Sequence, residues 1–126
     1  MKEVAKIIIH DDDRVLLQLR DNNPNIAFPL HWNLIGGIIE VSELPQETIT
    51  RELKEELGIE LDKIELFAIE NYKDTIQHIF SAKAKINPEK IHLKEGLAIR
   101  WFKLSELSSL KIGFNYYEIL MKFKGS

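Results

Sequence analysis

The sequence predicts a mixed fold of the α/β or α+β class. Several runs rich in isoleucine, valine and leucine, such as Val4–His10, have the length and composition of strands. By contrast, Leu44–Leu57 carries apolar residues at helical spacing and predicts an amphipathic helix. Strand and helix segments are interspersed along a chain of 126 residues, which is long enough for one domain with its own core. We therefore expect a single domain over residues 1–126.

The first third of the chain predicts a β-hairpin, a loop and a short strand. Val4–His10 and Arg14–Arg20 form the two strands of the hairpin, because the three aspartates at 11–13 are a turn signal. Asp21–Leu30 is rich in asparagine and contains two prolines, so we expect a loop. Trp32–Ile39 predicts a short apolar strand, in which two adjacent glycines indicate a close backbone approach.

The rest of the chain predicts two helices and three strands. The central helix tolerates Pro45 in its first turn and ends at Gly58, a residue type that favours helix C-termini. The remaining predicted elements are three strands and a terminal amphipathic helix: Ile64–Tyr72, Thr75–Ile86, Leu97–Leu104 and Phe114–Phe123.

The charge distribution indicates one local acidic site. The chain has a net charge of −3, and residues 43–56 alone hold five acids and two bases, which equals the whole imbalance. There is no basic tract that would indicate nucleic-acid binding and no apolar run of membrane-spanning length, so we expect a cytoplasmic protein. Since there are no cysteines, disulfides, thiolate metal sites and cysteine nucleophiles are excluded.

The acidic segment places three carboxylates on one face of the central helix. Residues three and four apart are helical neighbours, so Glu52, Glu55 and Glu56 form one patch. Measured from the apolar stripe at about 100° per residue, Glu56 lies nearest the core and Glu55 farthest from it. The stripe itself comprises Ile49, Leu53 and Leu57. Mutual repulsion of the carboxylates favours neutralisation by a hard divalent cation.

The spacing around this patch resembles the motif of the Nudix hydrolases. Nine fixed positions fall within 23 residues: Gly37, five residues, Glu43, seven residues, Arg51-Glu52-Leu53, one residue, Glu55-Glu56, one residue, Gly58-Ile59. No defining position is missed. The resemblance implies an α/β/α sandwich around a mixed sheet and hydrolysis of a phosphoric anhydride.

The resemblance also implies a metal site. Glu52, Glu55 and Glu56 would bind Mg²⁺, with Mn²⁺ as the alternative, and the carbonyl oxygen of Gly36 would join them. Such ions neutralise charge on phosphoryl oxygens and leave positions free for water. The number of metal ions stays open.

Further roles in the motif follow from the same resemblance. Arg51 would orient the catalytic face by bridging to Glu43, which then has a structural role. The general base is open between Glu52 and Glu95, a loop residue that precedes the predicted strand Leu97–Leu104 and is also a candidate metal ligand. The motif glycines are structural positions: Gly37 and Gly58.

Three residues upstream are candidates for substrate binding. Arg20 ends the second predicted strand, where its guanidinium can meet a phosphate. Phe28 and His31 lie in the following loop and are candidates to face a base or a sugar. Ile35 stands where many Nudix chains have proline, and Val41-Ser42 where Pro-Gly is common, so the loop geometry and substrate preference of this chain are open.

The expected activity is pyrophosphohydrolysis of a nucleoside diphosphate linked to a further group. A nucleoside triphosphate, cleaved to monophosphate and pyrophosphate, is the simplest substrate. A nucleotide-sugar or dinucleotide hydrolase is the next alternative, followed by a non-catalytic Nudix-fold module that binds nucleotides. Isopentenyl diphosphate isomerase shares the fold, but its chemistry resembles catalysis with a cysteine as the acid. This chain has no cysteine, which argues against that activity. Whether the chain forms a homodimer stays open.

Overall fold

Strand β1 (Lys2–Asp11) lies at the centre of a seven-stranded sheet in the computed structural model, which describes all residues, 1–126. The other strands are β2 Arg14–Leu19, β3 Trp32–Asn33, β4 Ile35–Ile38, β5 Glu65–Tyr72, β6 Thr75–Lys83 and β7 Ala98–Lys103. The α-helices are α1 Pro45–Glu52 and α2 Tyr116–Lys124, and short 3₁₀ turns cover Pro88–Lys90 and Leu104–Ser109. No helix is long and apolar enough to cross a membrane.

The sheet is mixed, as predicted. Its main path runs β3-β2-β1-β6-β5, while β4 pairs with β1 and β7 pairs with β2. Strands β1 and β2 form the predicted antiparallel hairpin, and β5 and β6 form a second antiparallel pair. Strand β1 pairs with β6 in parallel along nearly its whole length. Strand β1 therefore joins the β1–β2 hairpin and the β5–β6 pair into one sheet.

Side chains alternate along β1 and so supply two hydrophobic cores, one on each face of the sheet. Ala5, Ile7 and Ile9 join the core that contains the apolar stripe of the central helix, which comprises α1 and the π-helical turn after it. Ile8 joins the core that contains Tyr116 and two further residues of α2. Helix α1 and helix α2 therefore cover opposite faces, which confirms the predicted α/β/α sandwich.

The central helix differs from the prediction in its last turn. It begins with Pro45 and is α-helical to Glu52, but Leu53–Leu57 is π-helical. Gly58 then ends it in the left-handed conformation with φ 69°, as the sequence predicts. A π-helical turn holds more residues than an α-helical one, so residues rotate less from one to the next and the predicted 100° spacing does not apply there. Such turns occur often at functional sites.

Most strands differ from the sequence prediction by one to three residues at their ends, and two elements differ in a way that changes the local fold. Trp32–Ile39 is not one strand but two, because β3 pairs with β2 while β4 pairs with β1. The terminal helix begins only at Tyr116, because Phe114 has a positive φ of 55° that a helix cannot contain.

Candidate active site

A cleft of about 1020 Å³ lies where β1, β4, β6 and the central helix meet. Its lining contains five carboxylates and five cations. The carboxylates belong to Glu40, Glu52, Glu55, Glu56 and Glu95. The cations belong to Lys2, Lys6, Arg20, Arg51 and Lys94. The predicted metal-ligating glutamates, the backbone at Gly36 and the candidate base Glu95 thus come together in one cleft.

The carboxylate of Glu43 is held by donors from three directions. Arg51 Nε donates to Oε2 at 2.6 Å, and its Nη2 donates to Oε1 at 3.0 Å. The Thr48 hydroxyl donates to Oε1 at 2.7 Å, and the backbone N–H of Glu40 donates to the same oxygen at 3.0 Å. These bonds, that of Arg51 above all, hold the pKa of Glu43 near 2. The fully engaged carboxylate fits the structural role predicted for it.

Arg51 extends this network to the other glutamates. Its Nη1 donates to Glu52 Oε1 at 3.1 Å and to Glu55 Oε2 at 3.2 Å. Its Nη2 also donates to the carbonyl oxygen of Ile38 at 3.2 Å, which joins the helix to strand β4. The hydrogen bond to Glu43 is the main reason why the pKa of Arg51 rises above its ordinary value. The guanidinium therefore fixes the positions of two candidate metal ligands.

The three helix glutamates differ in burial in the order that the sequence predicts. Glu56 is 7% exposed, the side chain of Glu52 is 14% exposed and that of Glu55 is 58% exposed. Burial raises the pKa of Glu52, against the effect of Arg51. Burial, followed by the charge of Glu52, raises the pKa of Glu56 to about 8, and Glu95 adds to this while Lys6 opposes it. The neighbouring carboxylates of Glu52 and Glu95 thus add to the effect of burial in disfavouring the charged form of Glu56.

No group of three histidine or acidic side chains converges closely enough to hold a metal ion. The hydrogen bonds of Arg51 turn Glu52 and Glu55 toward the guanidinium. The buried Oε2 of Glu56, however, has no hydrogen-bond partner. An unsatisfied carboxylate oxygen crowded by like charges is a group that a divalent cation would stabilise.

Two adjacent glycines bring the backbone of β4 close to its neighbours. Gly36 has φ 145°, and a β-carbon there would overlap the carbonyl oxygen of Ala5 on β1. At Gly37 a β-carbon would overlap the carboxylate of Glu52, whose Cδ would lie 2.7 Å away. The absent side chain at Gly37 therefore makes room for Glu52 against the strand.

Glu95 is brought to the cleft by a loop that is tied to the end of β2. Its carbonyl oxygen accepts a hydrogen bond from Gln18 Nε2 at 2.7 Å. The next residue, Gly96, has φ 81° and approaches Leu19 so closely that a β-carbon would lie 2.8 Å from its carbonyl oxygen. These contacts place Glu95 near Glu56, although the two residues are far apart in the chain.

Of the three candidates for substrate binding upstream of the motif, one lines the cleft and two do not. Arg20 lines the cleft, donates through Nε to the carbonyl oxygen of Ala27 at 2.7 Å and lies 5.5 Å from the Phe114 ring centre. Phe28 and His31, the predicted base or sugar contacts, lie outside the cleft lining. They pack edge to face on each other, and His31 Nδ1 lies 2.8 Å from the carbonyl oxygen of Pro29.

Sequence reasoning missed several residues that line the cleft. The aromatic side chains are Tyr72 and Phe114, and Gln77 beside them is 1% exposed, with an Oε1 that has no partner. Lys6 is 8% exposed, and burial lowers its pKa to about 8, against the charge of Glu56. Lys6 carried a signal that was available in the sequence, because it is the one charged residue within the apolar run of Val4–Ile9.

Comparison with known proteins gives consistent matches. A family model of the NUDIX domain matches residues 2–123. A MutT-like protein of Streptomyces ambofaciens is 30% identical over 108 residues, covering 83% of this chain and 65% of that protein, so the chain spans slightly less than two thirds of it. An ADP-ribose pyrophosphatase of Methanocaldococcus jannaschii is 29% identical over 119 residues, covering 92% and 69%. The solution structure of the Escherichia coli ORF135 protein has a TM-score of 0.74 at 26% identity, covering 99% and 89%.

Proposed function

Because the chain belongs to the NUDIX family of hydrolases, we propose that it is a Mg²⁺-dependent pyrophosphohydrolase acting on nucleoside diphosphates linked to a further group. Its preferred substrate is a nucleoside triphosphate, which it cleaves to monophosphate and pyrophosphate. The observation that carries the proposal is the shared lining of one cleft by the motif glutamates and by several cations. The glutamates would hold a metal, and the cations would hold phosphates.

The chemistry of the donors fits a divalent cation. Glu52, Glu55 and Glu56 would hold it, together with the carbonyl oxygen of Gly36, and carboxylate and carbonyl oxygens are ligands that Mg²⁺ accepts. The partnerless buried oxygen of Glu56 supports this assignment. When bound, Mg²⁺ supplies neutralisation of the charge on phosphoryl oxygens.

The residues of the chain then supply positioning and proton transfer. Arg51 holds the carboxylates of Glu52 and Glu55, which keeps the acidic cluster in a fixed arrangement. The oxygen of a water molecule attacks a phosphorus atom of the anhydride, and the bond from that phosphorus to the bridging oxygen breaks. The proton of the water passes to a carboxylate, Glu52 or Glu95, and the second phosphate leaves with the bridging oxygen.

The number of cations supports a polyphosphate as the substrate. Besides Arg51, four cations line the cleft: Lys2, Lys6, Arg20 and Lys94. A triphosphate carries more negative charge than a diphosphate diester and would engage more of these groups. The rings of Tyr72 and Phe114 offer an apolar surface for the nucleobase, which would leave the phosphates near Arg20.

A second candidate substrate is a nucleotide sugar of the ADP-ribose type. It is supported by the similarity to the Methanocaldococcus jannaschii enzyme over 92% of this chain. Both substrates contain the same diphosphate unit, so the proposed chemistry is the same for each.

A substrate panel with Mg²⁺ tests the proposal. Nucleoside triphosphates, ADP-ribose, NADH and nucleotide sugars are incubated with the protein, and monophosphate, pyrophosphate and phosphate are quantified. We expect the highest kcat/KM for a nucleoside triphosphate, with pyrophosphate as the second product, and a turnover at least about 100-fold lower for Glu56→Gln. Greater turnover of ADP-ribose would favour the second candidate. Binding without turnover of any compound would indicate a non-catalytic module.

A further inference from the structure

Lys6 is a buried cation whose hydrogen-bonding capacity is mostly unused. It lies in the apolar run of β1 and is 8% exposed. Its Nζ makes one hydrogen bond, to the carbonyl oxygen of Leu34 at 3.3 Å. An ammonium group carries three N–H donors, so two remain for another acceptor. A buried charge is costly without partners, and the fold alone supplies Lys6 with only one.

The position of Lys6 connects the acidic cluster with Arg20. In the β1–β4 pairing Lys6 lies directly opposite Gly36, whose carbonyl oxygen is a proposed metal ligand. Lys6 also lines both the main cleft and an adjoining cavity of about 340 Å³. Arg20 and Glu56 line both cavities as well. A ligand that contacts the proposed metal site and Arg20 together would therefore lie beside the Lys6 ammonium.

We propose that the Lys6 ammonium binds a non-bridging oxygen of the substrate's diphosphate, together with Arg20. This inference rests on the proposed function, because it assumes that a diphosphate occupies the cleft. Phosphate oxygens are charged acceptors and form strong hydrogen bonds with an ammonium group. A diphosphate has charged oxygens on two phosphorus atoms, so one can meet the proposed metal site while another meets Lys6 and Arg20, which line the same cleft. An apolar group there would leave both free donors of Lys6 unpaired.

A purely structural role for Lys6 makes a different prediction. If Lys6 only compensated the charge of Glu56, its removal would destabilise the metal-free protein and leave phosphate binding unchanged. Removal of a cation beside acidic ligands would also strengthen metal binding, since the site becomes more negative. A substrate-binding role instead weakens phosphate binding even when Mg²⁺ binds equally well or better. The two roles thus share the expected effect on metal binding and differ in phosphate binding, which only the substrate-binding role weakens.

The test compares Lys6→Met with Lys83→Met. Lys83 lies on the neighbouring strand β6, is exposed and lies outside the cleft, so it controls for loss of a strand lysine. With saturating Mg²⁺, the affinity for inorganic pyrophosphate is measured by calorimetry, and kcat and KM are measured for the substrate found in the panel. We expect Lys6→Met to weaken pyrophosphate binding and kcat/KM about 10- to 100-fold, while Lys83→Met stays within threefold of wild type.

Pyrophosphate binding within threefold of wild type for Lys6→Met would overturn the inference. So would a lowered Tm in EDTA with unchanged KM, which is the pattern of a structural counter-ion. If wild type turns over no compound but Lys6 governs pyrophosphate binding, the proposed function fails and the inference stands. Should Lys6→Met not fold, the NMR signals of the Lys6 side chain in wild type are followed during pyrophosphate addition, and unmoved signals reject the proposal.

Discussion

Arg51 and Glu43 form a two-point ion pair, with Nε–Oε2 at 2.6 Å and Nη2–Oε1 at 3.0 Å. The remaining nitrogen, Nη1, lies 3.1 Å from Glu52 and 3.2 Å from Glu55. Glu43 therefore fixes the plane of the guanidinium, and the guanidinium fixes the two carboxylates that follow it on the helix. The helix that carries Arg51 begins just after Glu43 and acts as a rigid spacer for this contact.

We predict that Arg51→Lys lowers kcat more than it lowers stability. An ammonium cannot reproduce the planar two-point contact with Glu43 or hold two further carboxylates at once. We expect a loss of at least about 10-fold in kcat, or about 1.4 kcal/mol of barrier. Arg14→Lys is the control, because Arg14 pairs with Asp11 and lies outside the cleft. Equal kcat for Arg51→Lys and wild type would show that the network has no catalytic role.

We predict that Glu56→Gln abolishes most turnover and changes the pH dependence of stability. The loss of one proposed metal ligand should cost at least about 10²-fold in kcat, or about 2.7 kcal/mol. In EDTA the raised pKa of Glu56, about 8 against 4.5 in the unfolded chain, means that the folded state holds the extra proton between these pH values. The contribution of Glu56 to the free energy of unfolding of wild type should therefore be greatest below pH 4.5. It should fall as pH rises toward 8, by at most about 1.4 kcal/mol per pH unit.

Urea titrations of both proteins in EDTA at several pH values measure this effect. The amide cannot ionise, so the slope of Glu56→Gln should be shallower, with a remainder of the same sign from Glu52, whose pKa is also raised. The variant should be no less stable than wild type at about pH 8, where the wild-type carboxylate ionises. Parallel slopes for the two proteins would exclude Glu56 as the titrating group, and activity within threefold of wild type would remove it from the proposed metal ligands.

We predict that Mg²⁺ stabilises the protein and supports turnover, whereas Ca²⁺ does not support turnover. A cation that binds only the folded state stabilises it by about 2.7 kcal/mol at a concentration of 100 Kd. Mg²⁺ meets the small octahedral geometry of phosphate chemistry, while Ca²⁺ is larger and binds more loosely. Thermal melts and activity assays in EDTA, Mg²⁺, Mn²⁺ and Ca²⁺ measure both properties. Hydrolysis that continues equally fast in EDTA would reject a metal-dependent reaction.

We predict that Gly37→Ala lowers activity with a smaller effect on folding than Gly36→Ala. A β-carbon at Gly37 meets the side chain of Glu52, which can move, but its movement takes the carboxylate out of the proposed site. A β-carbon at Gly36 meets the backbone of β1, which cannot move without breaking the β1–β4 pairing. Thermal melts and kcat for the two variants measure the difference.

Gly58→Ala is the control for this pair. A β-carbon at this position would have no atom within 4 Å, but the φ of 69° strains any other residue type. We expect a loss of roughly 1 kcal/mol in stability and kcat close to wild type at a temperature where the variant is folded. If Gly37→Ala kept full activity, the packing of Glu52 against β4 would have no functional consequence.

The features that could be predicted from the sequence are those whose interacting residues lie close together in the chain. The helix with its carboxylates, the hairpin and Gly58 could be predicted because their signals lie within a few residues of one another. The loop residues Phe28 and His31 could not be placed, since their positions depend on a positive φ of 51° at Phe28 and on packing against Gly113. Both lie outside the cleft lining, although Phe28 packs on Phe114, which belongs to it. Arg20, the residue directly after β2, does line the cleft.

The residues that were missed depend on contacts between distant strands. Lys6 belongs to the cleft only because β1 pairs with β4 on one side and with β6 on the other. Gln77 and Tyr72 enter it through β6 and β5, and Phe114 through the irregular segment before α2. The sequence shows that Lys6 interrupts an apolar strand, but its position in the cleft follows only from the assembled strands. The π-helical turn at Leu53–Leu57 was likewise hidden, because nothing in its composition distinguishes it from an α-helix.

We predict that Glu52, rather than Glu95, is the general base. Both line the cleft, and a tied-down loop brings Glu95 near Glu56. Burial raises the pKa of Glu52 and so makes its carboxylate a stronger base, while Arg51 and the absent side chain of Gly37 fix its position. A carboxylate engaged by metal is a weaker base, so Glu52 can serve as the base only if Glu55 and Glu56 hold the metal without it during proton transfer.

We expect Glu52→Gln to lower kcat and to flatten its rise with pH, since an amide accepts no proton. Glu95→Gln should keep the wild-type profile. The kcat of both variants is measured at saturating Mg²⁺ from about pH 6 to about pH 9. The Mg²⁺ concentration for half-maximal activity is measured in addition, because loss of a metal ligand raises it and loss of the base does not. A base variant changes the pH profile with little change in Mg²⁺ affinity. If Glu95→Gln shows that pattern and Glu52→Gln only weakens Mg²⁺ binding, Glu95 is the base and Glu52 is a ligand.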